Sequence, residues 1–297
     1  MKSLAKQAPF VDKILKGMRQ IILQENSLTG LLFIIGIFLG SWEMGIAAIL
    51  ATASGTLTAQ FLKYDEEEIK QGLYGFSAAL VGVALTFLFE ATPLIWALVI
   101  IGGALAAVIQ HFFFVKKIPV FTLPFILITW GLMFVLHKFT HIAPSQALSA
   151  APPITDLDDF ATSTNGFGEV IFQGGFISGV LFFIAVFINN PAAALYGLFA
   201  SLLGASLSHH YGEPSETVHL GFFSFNVVLS AIVFAGWKKM DGLWVLVAVV
   251  STWVLNIAFV ETHILDDFGG VFTFPFVAGT WVTLLLKNLI PTKKQES

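Results

Sequence analysis

Chemistry in this chain has to come from a few polar groups set among apolar ones. Glu169 stands at the edge of an uncharged stretch that runs to Glu213, and a carboxylate in such a setting is costly enough to mark a solute or proton pathway. Gln20 precedes a similar apolar run. A side-chain oxygen at either position can accept from free N–H groups at a helix end, as a cap, or hold a loop behind a pore. Thr122 and Thr273 each stand two residues before a proline, Pro124 and Pro275. The missing proline N–H and the ring's clash with a carbonyl are expected to open the helix and free backbone oxygens. A Thr hydroxyl beside them would complete a small polar ring in an apolar wall. One copy alone would read as a kinked helix repaired by its own Thr; two copies favour a pore. No Gly-x-Ser-x-Gly elbow or phosphate loop occurs, so a membrane enzyme has no nucleophile to name and no catalytic residue is assigned. The neighbours His209 and His210 would diverge on a helix; neither a metal nor any other cofactor is expected.

These groups need elements to hold them, and the charge pattern says where the elements lie. Of 297 residues, 56% are hydrophobic and 11% charged, against roughly one quarter charged in soluble domains. Glu43 to Lys63, Lys70 to Glu90, Glu90 to Lys116 and Lys117 to Lys138 each enclose about 19 to 25 residues free of Asp, Glu, Lys and Arg, enough to cross a bilayer core as a helix. The stretch from Glu169 to Glu213 is about twice that length and is broken at Asn189, Asn190 and Pro191, which predicts two spans and a turn. About ten apolar segments fit. The expected fold is an all-α polytopic membrane protein with the lipid bilayer as its surroundings.

The net charge of −4 and a single arginine, Arg19, leave no basic stripe for nucleic acid. Residues 1–19 carry Lys2, Lys6, Lys13, Lys16 and Arg19 without a signal-like apolar run, which predicts a cytoplasmic, interfacial N-terminal segment. Lys287, Lys293 and Lys294 place the tail, 291–297, on the same side by the positive-inside rule.

The chain also repeats itself. At an offset of 149, Gln20-Ile-Ile-Leu-Gln meets Glu169-Val-Ile-Phe-Gln, Gly30 meets Gly179, and Gly72-Leu-Tyr-Gly-Phe-Ser-Ala-Ala-Leu80 meets Gly221-Phe-Phe-Ser-Phe-Asn-Val-Val-Leu229. At 151, Val120-Phe-Thr-Leu-Pro-Phe125 meets Val271-Phe-Thr-Phe-Pro-Phe276, and Thr129-Trp130 meets Thr280-Trp281. A first repeat over 20–138 and a second over 169–290 follow, with 139–168, rich in Pro, Ser, Thr and Asp, as an external linker. An odd number of crossings in each half inverts the second half, and such folds place the solute site near the midplane, where broken helices from both halves meet. Phe76 with Leu80, and Phe225 with Leu229, fall four apart on one helical face and could wall that site. The charged run over 63–71 is read as a solvated loop.

These twin motifs resemble the urea transporter family, from about Gln20 to Trp281. The resemblance implies a homotrimer with one pore per protomer, ten membrane-spanning helices plus two re-entrant half-helices, and a bacterial inner-membrane location. It implies that Phe76 with Leu80, Phe225 with Leu229, and Leu23 with Phe172 form flat slots at the pore mouths. Thr122 and Thr273 would sit at a central constriction with Ile21 and Val170, while Gln20 and Glu169 support a ladder of oxygens. The halves differ at Gln20 against Glu169, Leu23 against Phe172 and Gly75 against Ser224, so the slots need not be equal. Urea is planar, neutral and rich in N–H donors, which suits a thin apolar slot with a file of oxygens, whereas an ion would lose more hydration than the slot returns. The expected activity is passive, channel-like urea transport. An ion-coupled transporter, or a channel for ammonia, water or short amides, would share the same repeat and pore.

Overall fold

The structure is a computed structural model that describes residues 7–149 and 158–289. Described residues form helices and connecting turns, with one isolated bridge between Phe89 and Pro144. In chain order the helices are α1 (Pro9–Gln20), α2 (Ser27–Gly40), α3 (Trp42–Phe61), α4 (Glu66–Lys70), α5 (Phe76–Leu88), α6 (Pro93–Val115), α7 (Leu123–Phe139) and α8 (Gln146–Ser149). The second half continues with α9 (Asp158–Glu169), α10 (Phe176–Asn189), α11 (Pro191–Tyr211), α12 (Ser215–His219), α13 (Phe225–Phe234), α14 (Lys239–Glu261) and α15 (Phe274–Leu289), with a short 3-10 turn at Asp266–Phe268.

Helices α1 to α7 correspond in order and type to α9 to α15. The repeat therefore starts at Pro9 and Asp158, earlier than the matched motifs. Helix α1 packs against α2, α3 and α5 and buries Leu15 and Met18, so it belongs to the helical body. Its counterpart α9, together with α8, occupies part of the stretch expected as linker; 150–157 and the tail 291–297 lie outside the described residues.

Four described helices, α3, α6, α11 and α14, are long and apolar enough to cross a membrane. Their polar starts are satisfied locally: Ser41 accepts from Met44 N at 3.3 Å and Asn190 from Ala193 N at 3.1 Å, relieving N–H groups that a helix cannot satisfy internally. The break expected at Asn189, Asn190 and Pro191 is present, with Pro191 opening α11. Large apolar side chains such as Leu39, Phe61, Val115 and Phe139 point outward in numbers no soluble monomer tolerates. This is a polytopic membrane protein.

The gap from Lys70 to Glu90 is long enough to span but does not hold one full helix. Gln71–Gly75 is a turn, and only the 13 residues of α5 follow, a rise of about 20 Å against the roughly 30 Å hydrocarbon core. Gly72 explains the break: its φ is +79°, and a Cβ there would lie 2.3 Å from the Gly17 nitrogen of α1. Gly221 repeats the feature before α13, with φ +92° and a Cβ position 2.8 Å from the Asn165 carbonyl carbon of α9. Both half-helices are enclosed, α5 by α3, α6 and α7, and α13 by α11, α14 and α15.

The halves meet through reciprocal contacts. Thr29 Oγ1 donates to Ala185 O at 2.9 Å, and its repeat equivalent Ser178 donates to Gly36 O, the equivalent of Ala185, at 3.1 Å. Trp130 Nε1 donates to Gly270 O at 2.8 Å and Trp281 Nε1 to Pro119 O at 2.6 Å, again with both partners exchanged. Exchange of this kind is the mark of a two-fold relation. Equivalent residues meet each other where that axis passes: Phe33 and Phe182 pack edge to face with centroids 5.1 Å apart. Gly36 makes room, since a Cβ there would sit 2.2 Å from the Phe182 ring. In lipid, close packing and interhelical hydrogen bonds of about 0.6 kcal/mol each, rather than hydrophobic exclusion, hold such an interface.

Candidate functional site

The second self-contact on the two-fold is polar. Thr122 Oγ1 and Thr273 Oγ1 lie 2.7 Å apart, each residue 3% exposed. Pro124 and Pro275 do not kink a continuing helix there, as the sequence suggested; they lie in the first turns of α7 and α15. A proline in the first turn replaces an N–H that has no helical partner, so it starts a helix without breaking one. Phe121 and Phe272, just before each threonine, take left-handed φ values of 47° and 44°, a conformation that costs a bulky residue and turns the chain sharply into the helix. Reciprocal aromatic pairs then close around the hydroxyls, Phe121 with Phe276 at 5.3 Å and Phe125 with Phe272 at 5.7 Å.

Gln20 and Glu169 are not at helix starts, which corrects the capping expectation. Each is the last residue of its helix, α1 or α9, and each is followed by a turn in which the third residue, Leu23 or Phe172, has φ near +56°. The backbone closes identically in both halves, with Gln24 N donating to Arg19 O at 3.1 Å and Gln173 N to Gly168 O at 3.0 Å. Gln24 and Gln173, which sequence reasoning quoted but did not single out, then pin these turns: Nε2 donates to Ile22 O at 2.7 Å and to Ile171 O at 3.2 Å. Their repeat pairing was the available signal. Gln20 Nε2 reaches Gln71 O at 3.4 Å, in the turn before α5. Glu169 is 7% exposed, and among the described residues its carboxylate has no hydrogen-bond or ionic partner.

Ile21, Phe76, Leu80, Val170, Phe225 and Leu229 belong to one buried apolar cluster spanning both halves, which also holds Phe125, Phe272 and Phe276 beside the threonines, with Leu23 and Phe172 packed on it. A cavity of about 520 Å³ runs from Glu169, Val170, Phe172 and Phe225 to Thr273. A second, of about 480 Å³, shares Glu169 and Phe172 with it and is also lined by Gln173 and Glu216. The second-half residues singled out from sequence are thus gathered on one cavity, except Leu229, which is wholly buried and does not line it. The first-half residues Ile21, Phe76 and Leu80 are equally buried, at 1%, 5% and 0% exposure. His137 and His141 have the spacing of a two-histidine metal face, but α7 ends at Phe139 between them, and no group of three metal-type ligands occurs among the described residues.

Chemically, the arrangement offers a hydroxyl pair, apolar rings and one lone carboxylate. In a Thr–Thr bond one hydroxyl donates and the other keeps its proton free, so the pair presents both a donor and acceptor lone pairs. Such a site is suited to a small neutral solute that can give and take hydrogen bonds. In comparison with known proteins, a sequence model described as "UT: Urea transporter" matches residues 11–288. The chain belongs to the urea transporter family. Within that family it is 26% identical to Urea transporter 1 of Mus musculus over 246 residues, 76% of this chain and 63% of the mouse protein. To Urea transporter 1 of Ovis aries it is 25% identical over 317 aligned residues, 98% of this chain and 80% of the sheep protein. The match to the mouse relative therefore spans less than two thirds of that protein's length. The family match covers most of both halves of the repeat, Thr122 and Thr273 included.

Proposed function

We propose that this protein carries urea across the membrane passively, through a channel-like conduit that crosses the threonine pair. The observation that carries the reading is the Thr122–Thr273 contact of 2.7 Å on the two-fold, enclosed by aromatic rings and approached by a cavity that ends at Thr273. Urea's N–H groups are received by the hydroxyl lone pairs, and the free hydroxyl proton is received by its carbonyl. Phe76 with Leu80 and Leu23 wall one mouth, Phe225 with Leu229 and Phe172 the other, and these flat apolar faces admit a planar solute. Ile21 and Val170 narrow the centre, while Gln20 and Glu169 end the helices that shape it. Ions are rejected because no group at the threonine pair replaces a hydration shell. No step of this passage is a chemical reaction, and no enzymatic activity is assigned. Each protomer of a homotrimer holds its own conduit, in a bacterial inner membrane, with both termini cytoplasmic. Residues 20–138 and 169–290 carry the two copies of the conduit's wall.

Uptake of labelled urea into proteoliposomes, with and without an imposed proton gradient, tests the reading. Saturable uptake that ignores the gradient and falls in Thr122→Val/Thr273→Val is expected. Absence of urea flux sinks the assignment, and dependence on the gradient makes the protein a coupled transporter.

A further inference from the structure

The two ends of the conduit have the same backbone but different side chains. On the second-half side, Glu169 is 93% withdrawn from solvent, has no partner among the described residues, and faces both cavities. The first-half equivalent is Gln20, a neutral amide already within reach of the Gln71 carbonyl at 3.4 Å. Beside Glu169 stands Phe172, whose ring centroid is 5.2 Å from Phe87 and 6.3 Å from both Phe125 and Phe272. The first-half residue in its place is Leu23, with the same left-handed backbone but no π face. Other acids nearby are engaged or exposed. Asp266, on the same cavity, is paired with His263 at 2.9 Å, and Glu216, on the neighbouring cavity, is solvent-exposed. At the first-half end Glu68 accepts from the Tyr74 hydroxyl, and Glu66 and Glu67 pair with Lys70.

A buried, unpartnered carboxyl group next to a box of aromatic rings is the chemistry that receives an organic cation: as the cation arrives the carboxyl gives up its proton to water, the carboxylate so formed accepts charged N–H donors, and the ring faces attract the positive charge. We propose that the Glu169–Phe172 vestibule binds a planar amidinium-type cation, of which guanidinium is the simplest, and that its occupation plugs urea passage. Guanidinium has urea's flat shape with a third nitrogen in place of the oxygen, so it fits the entrance that admits urea. It cannot go further. The threonine pair offers only neutral hydroxyls among apolar rings, and a cation there loses its hydration and the carboxylate together. The plug is one-sided, since Gln20 and Leu23 supply neither the charge nor the ring at the other end. This proposal depends on the urea-conduit reading for its consequence and not for the binding itself.

The test uses the full chain twice: urea flux in proteoliposomes with guanidinium chloride or equal potassium chloride, and calorimetric titration of guanidinium chloride into detergent-purified protein. Expected are block by guanidinium but not potassium, saturable binding weakened by competing urea, a loss of affinity of at least tenfold in Glu169→Gln, and a loss of about threefold in Phe172→Leu. Each variant's block is read as the ratio to its own unblocked flux, and a melting curve reports whether it is folded. If Glu169→Gln does not fold, Phe172→Leu decides, because it installs the residue that the first half already carries on the same backbone. Equal block by potassium, no saturable binding in the unaltered protein, or undiminished binding in the folded variants overturns the proposal. Failure of urea flux in the unaltered protein would instead remove the urea reading, leaving the titration to decide the cation site.

Discussion

The turn that follows α1 and the turn that follows α9 are the same piece of backbone used twice, with φ of 56° at Leu23 and 57° at Phe172, yet they carry different chemistry. Helix lengths, the left-handed third residue and the pinning glutamine are shared, while the residue that ends the helix is an amide in one copy and an acid in the other. The lesson is that the two-fold constrains shape more tightly than charge. A repeat must keep its backbone to keep its interface, because the reciprocal contacts Thr29 to Ala185 and Ser178 to Gly36 are made by the two helices that directly follow these turns. Side chains that point into a cavity are under no such tie.

Where the halves are alike, matched changes should have matched effects. The largest is expected at the threonine pair: Thr122→Val/Thr273→Val should reduce urea flux at least tenfold in stopped-flow light scattering, each single change giving a smaller loss. Removing both hydroxyls leaves a solute two hydrogen bonds short in a buried site, a penalty of about 1 to 3 kcal/mol per unmade bond. A single change that abolishes flux while its twin has no effect would break the symmetry between them. Next come the glycines before the half-helices. Gly72→Val and Gly221→Val each combine a strained φ with a backbone clash, and both should lower the melting temperature in detergent sharply, by an amount corresponding to about 3 kcal/mol or more. Gly72→Val is expected to be the worse, because its closest contact, 2.3 Å against 2.8 Å, is tighter.

Exchange of the mouths sharpens the comparison further. Gln20→Glu with Leu23→Phe should give the first-half end a guanidinium sensitivity it otherwise lacks, seen as block from both faces of oriented vesicles. Block that stays one-sided would show that more than these two residues separates the mouths. The smallest effects belong to the interface: Trp130→Phe and Trp281→Phe each remove one hydrogen bond, and each should cost about 0.6 kcal/mol. Equal shifts in melting temperature are expected, and unequal ones would show that the reciprocity is geometric without being energetic.

Much of this architecture was legible in the sequence because the repeat acts as an internal alignment. Glu169 and Gln20, Thr122 and Thr273 were found by matching one half with the other, and Asn189-Asn190-Pro191 marked a helix break because caps and prolines act locally. What escaped was direction. Whether Gln20 begins or ends a helix depends on the chain before it, and the amphipathic Pro9–Gln20 segment, with Asp12 and Arg19 buried, looks like a surface helix until its packing partners are known. Pro124 was read as a kink because the residues before it are apolar and uncharged, as a continuing span would be; the left-handed Phe121 that ends the preceding turn leaves no mark on the sequence. The span from Lys70 to Glu90 was overcounted for a related reason, since an apolar turn enclosed by protein has the same composition as a helix.

The hydroxyl contact at the centre carries one more consequence. An O–H···O bond has a head and a tail, so a two-fold axis cannot map the Thr122–Thr273 bond onto itself. The proton must sit nearer one half than the other, even though the aromatic pairs on either side of it are exchanged by the axis. The contact is therefore a directional object that reverses by rotating two hydroxyl groups. In the proposed conduit such a point would hold no fixed direction, which would leave the unequal turns at Gln20 and Glu169 as the source of any difference between its two faces.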